Sequence, residues 1–277
     1  MPLETRKRTT IMAANHELVL DPPPAGAPDT RYQRQLDLFV RCSNGKALAL
    51  ERLLALVARL PRREAFLDIG AGNGVLTLPL AREFHRATAV EPDPFQAADL
   101  KRRAPDLRVF QNTWQDVDLG SGLFDFILCS HALYYLPEVE WMRQVDRMYE
   151  HLRPGGQAAL ILQSPLGDKA GFFSAFTGSD VNVLGLWKGM LHTYGEDALD
   201  ARYYTSDIHT RSLDEMVEIG CFLLLHTRFR DHPDTIRRYL EEHHRCEDGY
   251  RLRNDELILL LSKKPRPEQR FTAEDGS

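Results

Sequence analysis

Several features that would settle the class of this chain at once are scarce or missing. It has four cysteines in 277 residues, Cys42, Cys129, Cys221 and Cys246. No two form a Cys-x-x-Cys pair, so neither a disulfide framework nor a spaced-thiolate zinc site is expected; the thiols read as reduced ones in a cytoplasmic protein. No apolar run approaches the about 20 residues that span a bilayer, and Arg6, Lys7 and Arg8 are not followed by the apolar stretch of a secretory signal. The start at Met1 or at Met12 stays open. A net charge of −5 supplies no electrostatic footprint for nucleic acid or an anionic membrane. There are no internal repeats. No His-Glu-x-x-His is present, and the adjacent His243 and His244 diverge on one helix, so no metal is expected.

What is present is an ordinary globular composition, 43% hydrophobic and 27% charged, enough for one large α/β domain. Residues 1–30 run into Asp21-Pro22-Pro23-Pro24, too proline-rich for a helix or a central strand, and read as a flexible arm. Over 32–60 the apolar residues recur at helical spacing; Ser43-Asn44-Gly45 divides the run and Pro61 closes it, predicting a helical lid over 31–61. Strands are then predicted at 65–69, 87–91, 107–111, 124–130 and 157–163, with helices between them at 74–83, from Pro92-Asp93-Pro94 to about Arg103, and at 138–152. Residues 164–204 break this rhythm with Phe172, Phe173, Phe176, Trp187, Tyr194, Tyr203 and Tyr204 and no clear strand. A helix capped at Thr205 or Ser206 and stopped at Gly220, strands at 221–228 and 257–261, and a second insertion at 232–253 complete the pattern. Residues 265–277 read as a flexible tail. The alternation predicts a mostly parallel, Rossmann-like α/β sheet with its ligand site beyond the carboxyl ends of the strands.

The densest signal lies where the first strand ends, in Asp68-Ile69-Gly70-Ala71-Gly72-Asn73-Gly74. Glycine at alternate positions lets bare backbone approach a ligand closely. The spacing is not the Gly-x-Gly-x-x-Gly of a dinucleotide site. It resembles motif I of the class I S-adenosylmethionine (SAM) methyltransferases. Glu91 after the second strand and Leu152-Arg153-Pro154-Gly155-Gly156 before the fifth extend the resemblance across most of 64–163. It implies the seven-stranded, mostly parallel sheet of that fold, a SAM-binding domain over 62–264 with cap insertions at 164–204 and 232–253, and SAM as cofactor. The residues it points to are Asp68, Gly70, Gly72 and Gly74 for the cofactor backbone and Glu91 for the ribose hydroxyls. Thr113 and Trp114 stand where the family holds adenine, although the family commonly has an acidic residue there; Trp114 serves equally well as core. Ser130 sits beside the methionyl end, and Tyr32 on the first helix lies over the cofactor if that helix is a lid.

The loop after the fourth strand, Cys129-Ser130-His131-Ala132, lacks both the Asn/Asp-Pro-Pro-Tyr of nucleic-acid amine methylation and an aspartate cluster for magnesium. It suits a small-molecule substrate. His131 titrates near working pH and is a candidate base, or else packs against the cofactor carboxylate. Tyr134, Tyr135, Tyr203 and Tyr204 are candidates to surround a cation. A narrower likeness, to the histamine N-methyltransferase group, rests on Trp114, Phe124-Asp125-Phe126-Ile127, Leu133-Tyr134-Tyr135, Tyr204-Thr205-Ser206-Asp207-Ile208 and Asn254-Asp255. It implies that Asp255 touches an amine. The expected activity is methylation of a small amine metabolite, with His131, Tyr135 and Asp255 at the reacting end. Two alternatives keep the cofactor: cyclisation of SAM to azetidine-2-carboxylate with release of methylthioadenosine, and SAM binding without turnover.

Overall fold

The computed structural model describes residues 30–178, 181–224 and 227–265; nearly all of the expected arm and tail lies outside them. Two helices come first, α1 (Thr30–Cys42) and α2 (Gly45–Val57), divided at Ser43-Asn44. Then follow β1 (Ala65–Ile69), α3 (Thr77–Ala81), β2 (Arg86–Val90), α4 (Pro94–Arg103), β3 (Arg108–Phe110), β4 (Phe124–Ser130), α5 (Trp141–His151) and β5 (Leu152–Gln163). The remainder is α6 (Asp168–Thr177), α7 (Val183–Tyr194), β6 (Leu199–Thr210), α8 (Leu213–Leu223), α9 (Pro233–His243), β7 (Arg245–Cys246) and β8 (Gly249–Ser262). The sheet runs β3-β2-β1-β4-β5-β8-β6, with the two-residue β7 paired to β8 off this path. β1 to β5 pair in parallel, and β8 is antiparallel to both neighbours. The main path is the expected seven-stranded, mostly parallel sheet; β7 makes an eighth strand.

Side chains alternate between the faces of a strand, and a sheet buried on both faces therefore reads as an unbroken apolar run. In β4, Ile127 and Cys129 enter one core and Phe126 and Leu128 the other. In β8, Leu259 and Leu261 join the first face while Ile258 and Leu260 join the second. Trp141, Val145 and Met148 of α5 cover the first face with Leu186 and Met190 of α7. Ala49, Leu53 and Val57 of α2 cover the second. The two N-terminal helices thus part company. α2 is a layer of the body, whereas Leu38 and Phe39 of α1 pack on a third core. That core joins Phe172 and Phe176 of α6, Ile208, Met216 and Ile219, and Ile236 and Leu240 of α9, with Leu252. It forms a cap around the paired ends of β6 and β8 that extend past β5.

The sequence reading misplaced most in this cap. The predicted helix from 205 is strand as far as Thr210, where Tyr204, Ser206, Ile208 and Thr210 are buried at every second position. The capping signal lies later, at Ser212, whose hydroxyl accepts from Glu215 N at 3.5 Å; Ser212-Leu213-Asp214-Glu215 has the spacing of a capping box. Of the predicted strand at 221–228, residues 221–223 are the end of α8 and Arg228 opens a short 3-10 helix, while residues 225 and 226 lie outside the described residues. Gly220 does not stop α8; a Cβ there would lie 2.7 Å from Ile236 Cγ2, so it permits α8 to press on α9. In the body, the helix predicted at 74–83 shrinks to Thr77–Ala81 because the glycine turn runs through Gly74 at φ +75°. Helix α5 ends at His151, and Leu152-Arg153-Pro154-Gly155-Gly156 belongs to β5.

Candidate functional site

The polypeptide leaves β1 through three glycines at positive φ, Gly70 (72°), Gly72 (53°) and Gly74 (75°), a region that side chains rarely adopt. Gly70 and Gly74 are also tightly packed: a Cβ would stand 2.6 Å from Ala132 Cβ at the first and 2.6 Å from Leu100 Cδ2 at the second. Glu91, at the end of β2, ties the turn down. Its Oε2 accepts from Gly72 N at 2.6 Å and its Oε1 from Asp93 N at 2.9 Å. Each oxygen keeps a further lone pair for a hydroxyl donor. Burial pushes the Glu91 carboxyl up, against those two backbone N–H groups. Asp68 lies beneath the turn, outside the cavity wall, and accepts from Thr77 Oγ1 at 2.6 Å. Burial raises it to about 7, with the Thr77 hydroxyl and Lys46 acting the other way.

This corner faces a cavity of ≈ 520 Å³ bounded on its far side by the cap, inside the range of about 300–1,000 Å³ usual for small-molecule sites. Gly70, Gly72, Glu91, Thr113, Trp114, Ser130, His131 and Tyr135 all contribute to its wall. Thr113 donates its hydroxyl to Asp116 Oδ2 at 2.6 Å. Trp114 is only 5% exposed, has the Arg147 guanidinium 4.3 Å from its ring centre, and packs in the core with one edge on the cavity; its buried Nε1 has no partner among the described residues. Ser130 Oγ accepts from Lys46 Nζ at 3.4 Å. Gly74 and Asp68 support the wall from behind. The Tyr32 side chain lies outside the described residues, as does any contact it makes.

His131 is the one non-glycine residue at positive φ (57°) among the described residues, a strained backbone of the kind stored at functional sites. Its N–H donates to Ile161 O at 3.0 Å, and its Nε2 lies 2.9 Å from Glu256 Oε1. Nδ1 faces the Tyr134 hydroxyl at 3.4 Å, and that hydroxyl also accepts from Gln163 N. Burial pulls the imidazole below its ordinary value, against the pull of Glu256. Burial works to raise Glu256, but His131, Lys169 and the Tyr204 hydroxyl outweigh it and hold the carboxyl below its usual range. An ionised carboxylate can only accept, so the 2.9 Å contact places a hydrogen on Nε2.

Glu256 went unnoticed in the sequence, where Asp255 was preferred. The strand alternation decides between them: Asn254 and Glu256 line the cavity, while Asp255 turns to the other face, accepts from Thr205 Oγ1 at 2.7 Å and packs against Gly167. Asp255, a candidate for the reacting end, therefore lies outside the cavity wall. The register against Gln163 of β5 was the signal that would have chosen Glu256. Lys46 and Lys169 were missed as well, and both line the cavity. Of the expected aromatic cage, Tyr134, Tyr135 and Tyr204 belong to the wall with Phe39, Phe172 and Phe222, whereas Tyr203 is 52% exposed outside it. Trp187 and Tyr194 pack against the body.

One group of possible metal donors occurs among the described residues, His209, Cys246 and Asp248, within 4.8 Å of one another and outside the cavity wall. No helix among the described residues is long and apolar enough to cross a membrane.

Residues 66–156 match a family model described as a methyltransferase domain. The chain is similar to a trans-aconitate 2-methyltransferase of Deinococcus radiodurans, with 33% identity over 45% of this chain and 47% of that protein. It is also similar to a dTDP-4-amino-2,3,4,6-tetradeoxy-D-glucose N,N-dimethyltransferase of Saccharopolyspora spinosa, with 31% identity over 37% and 41% of the two chains. The chain spans about half the length of the curated relatives it matches. In fold it is similar to the YcgJ protein of Bacillus subtilis, with a TM-score of 0.52 and 18% identity over 77% of this chain and 98% of the other. The plantazolicin methyltransferase BpumL, solved in complex with SAH, gives a TM-score of 0.50 and 12% identity over 87% and 92%.

Proposed function

We propose that this chain, a member of the class I SAM-dependent methyltransferase superfamily, methylates the nitrogen of a small amine. The residues present fit the cofactor. The glycine corner leaves backbone where side chains would intrude, Glu91 has lone pairs left for a diol, and the cavity volume suits a small molecule. Gly70, Gly72 and Glu91 would hold the adenosine end with Thr113 and Trp114, and Ser130 the methionyl end. Bound SAM supplies an electrophilic methyl group on a sulfonium. Phe39, Phe172 and Phe173 of the cap make the other wall apolar.

The observation that carries the amine reading is the His131–Glu256 pair, 2.9 Å apart in the wall of the same cavity. An ammonium is drawn to the ionised carboxylate but is not a nucleophile until it loses a proton. Because Nε2 carries the hydrogen donated to Glu256, Nδ1 is the accepting atom of His131, and Glu256 stabilises the imidazolium that results. Tyr134, whose hydroxyl lies 3.4 Å from Nδ1, steadies that face of the ring. Tyr135 and Tyr204 offer ring faces to a cation, each worth about 0.5–2 kcal/mol. α1 and α6 close the cavity as the lid and cap of a binding domain spanning 62–264. The relatives do not choose the acceptor, since one is named for trans-aconitate and the other for an amino sugar; the reading rests on the pair.

Incubation with SAM alone, followed by addition of a pool of amines, tests it by mass spectrometry. S-adenosylhomocysteine (SAH) is expected only after the amines are added, together with an amine heavier by one methyl group. Methylthioadenosine formed from SAM alone would replace this reading with intramolecular cyclisation.

A further inference from the structure

Opposite the glycine corner the cavity wall carries two lysines against one carboxylate. Lys46 enters from the start of α2 and Lys169 from the start of α6. Lys46 has one neutral hydrogen-bond partner, Ser130, and Lys169 forms no hydrogen bond or close ion pair among the described residues; both face Glu256. Glu256 is already engaged by His131 at 2.9 Å. Two ammonium groups therefore share one committed carboxylate in a wall lined by Phe172, Phe173 and Tyr204. Asp68, the other anion facing Lys46, is buried under the glycine turn and held by Thr77. Burial pulls both lysines below their ordinary value, and Lys46 and Lys169 repel each other. A cation held in a water-poor wall gains most from an anionic ligand, because charge-assisted hydrogen bonds are the strong ones there.

We infer that this wall binds the zwitterionic end of an α-amino acid, with its ammonium against Glu256 and its carboxylate between Lys46 and Lys169. The inference rests on SAM binding in this cavity. That amino acid is the acceptor, since Glu256 is the carboxylate that draws the acceptor's ammonium. Two ammonium groups about one carboxylate match a carboxylate and an ammonium on one carbon better than they match a simple amine, which would leave the lysines without a counter-charge.

Calorimetric titration of the full chain and its K46M and K169M variants with SAH and with methylthioadenosine, which lacks the aminoacyl group, distinguishes the acceptor from the cofactor's own aminoacyl end. If the lysines instead serve the aminoacyl end of the cofactor, either variant lowers the preference for SAH over methylthioadenosine by about tenfold, and that result overturns the inference. If they serve the acceptor, that preference is unchanged, and KM rises about tenfold for histidine or tyrosine but not for histamine or tyramine. Lys169→Arg is expected to restore most of the loss, which separates charge from packing. Variants that change neither the binding preference nor the discrimination between amino acid and amine would overturn the inference while leaving the cofactor reading intact. Wild-type protein that binds no SAH would remove both.

Discussion

The glycine corner and the cap wall face each other across one cavity but are built from different material. The corner is mostly backbone, with Gly70 and Gly72 at positive φ, N–H groups turned to Glu91, and residues drawn from two adjacent strands. The cap wall is mostly side chain, drawn from α1, α6 and α8 and continued on the body side by α2 and β8. A backbone-built wall restricts its own sequence, because few residues tolerate the geometry. A side-chain wall restricts only where its elements lie. The first is suited to a fixed ligand and the second to a ligand that changes between relatives.

The substitution that should separate the walls most sharply is Gly70→Val. The added carbon meets Ala132 at 2.6 Å, and φ of 72° adds a conformational penalty of about 1–2 kcal/mol for a side chain. SAH binding, followed by calorimetry, is expected to weaken by more than about 100-fold, the equivalent of roughly 3 kcal/mol. Wild-type affinity in this variant would mean that the cofactor lies elsewhere and that the corner is only a structural turn.

His131 stands between the two walls, and its backbone chooses the variant. Asparagine tolerates the left-handed region better than most residues, so His131→Asn removes the imidazole while sparing the turn. The expected loss is about 100-fold in kcat, the low end of general-base contributions, with SAH affinity changed less than about threefold. The pH profile carries the sign. Burial lowers the His131 value, so protonation abolishes the base only below its ordinary titration range. Wild-type kcat/KM is expected to fall on the acid side below about pH 6.5, and the variant should lack that limb. An acid limb retained in His131→Asn would move the base to another group.

The same division explains what could be read from the sequence. β1 and β4 were legible to the residue because both faces are buried, leaving apolar runs closed by the glycine turn and by Ser130-His131. Gly70, Gly72 and Glu91 were legible because turn and strand end lie close in sequence. In the cap, Tyr203-Tyr204-Thr205-Ser206 carried both a strand alternation and a false helix cap, and only pairing with β8 favours the strand. Lys46 and Lys169 have no local signature. A lysine at the first turn of a helix is ordinarily a solvated residue, and its enclosure follows from where β5 and β8 place the opposite carboxylate.

The smallest effect is also the most exacting test of the strand register. Asp255 and Glu256 are neighbours in β8, and a shift of one residue would exchange their faces. With β8 paired so that Gln163 meets Glu256 and Thr205 meets Asp255, the Asp255 carboxylate does structural work outside the cavity, taking the Thr205 hydroxyl at 2.7 Å. Asp255→Asn keeps its size and an accepting oxygen but gives up the charged hydrogen bond, so it should lower stability by about 1 kcal/mol. Denaturant unfolding would register that change, with kcat altered less than about twofold. Glu256→Gln is expected to do the reverse. It removes the anion that steadies imidazolium on His131, costing roughly tenfold or more in kcat, while relieving the cavity of a buried charge. If Asp255→Asn proved the more damaging to turnover, β8 would be out of register by one residue, and the carboxylate facing His131 would be Asp255 after all.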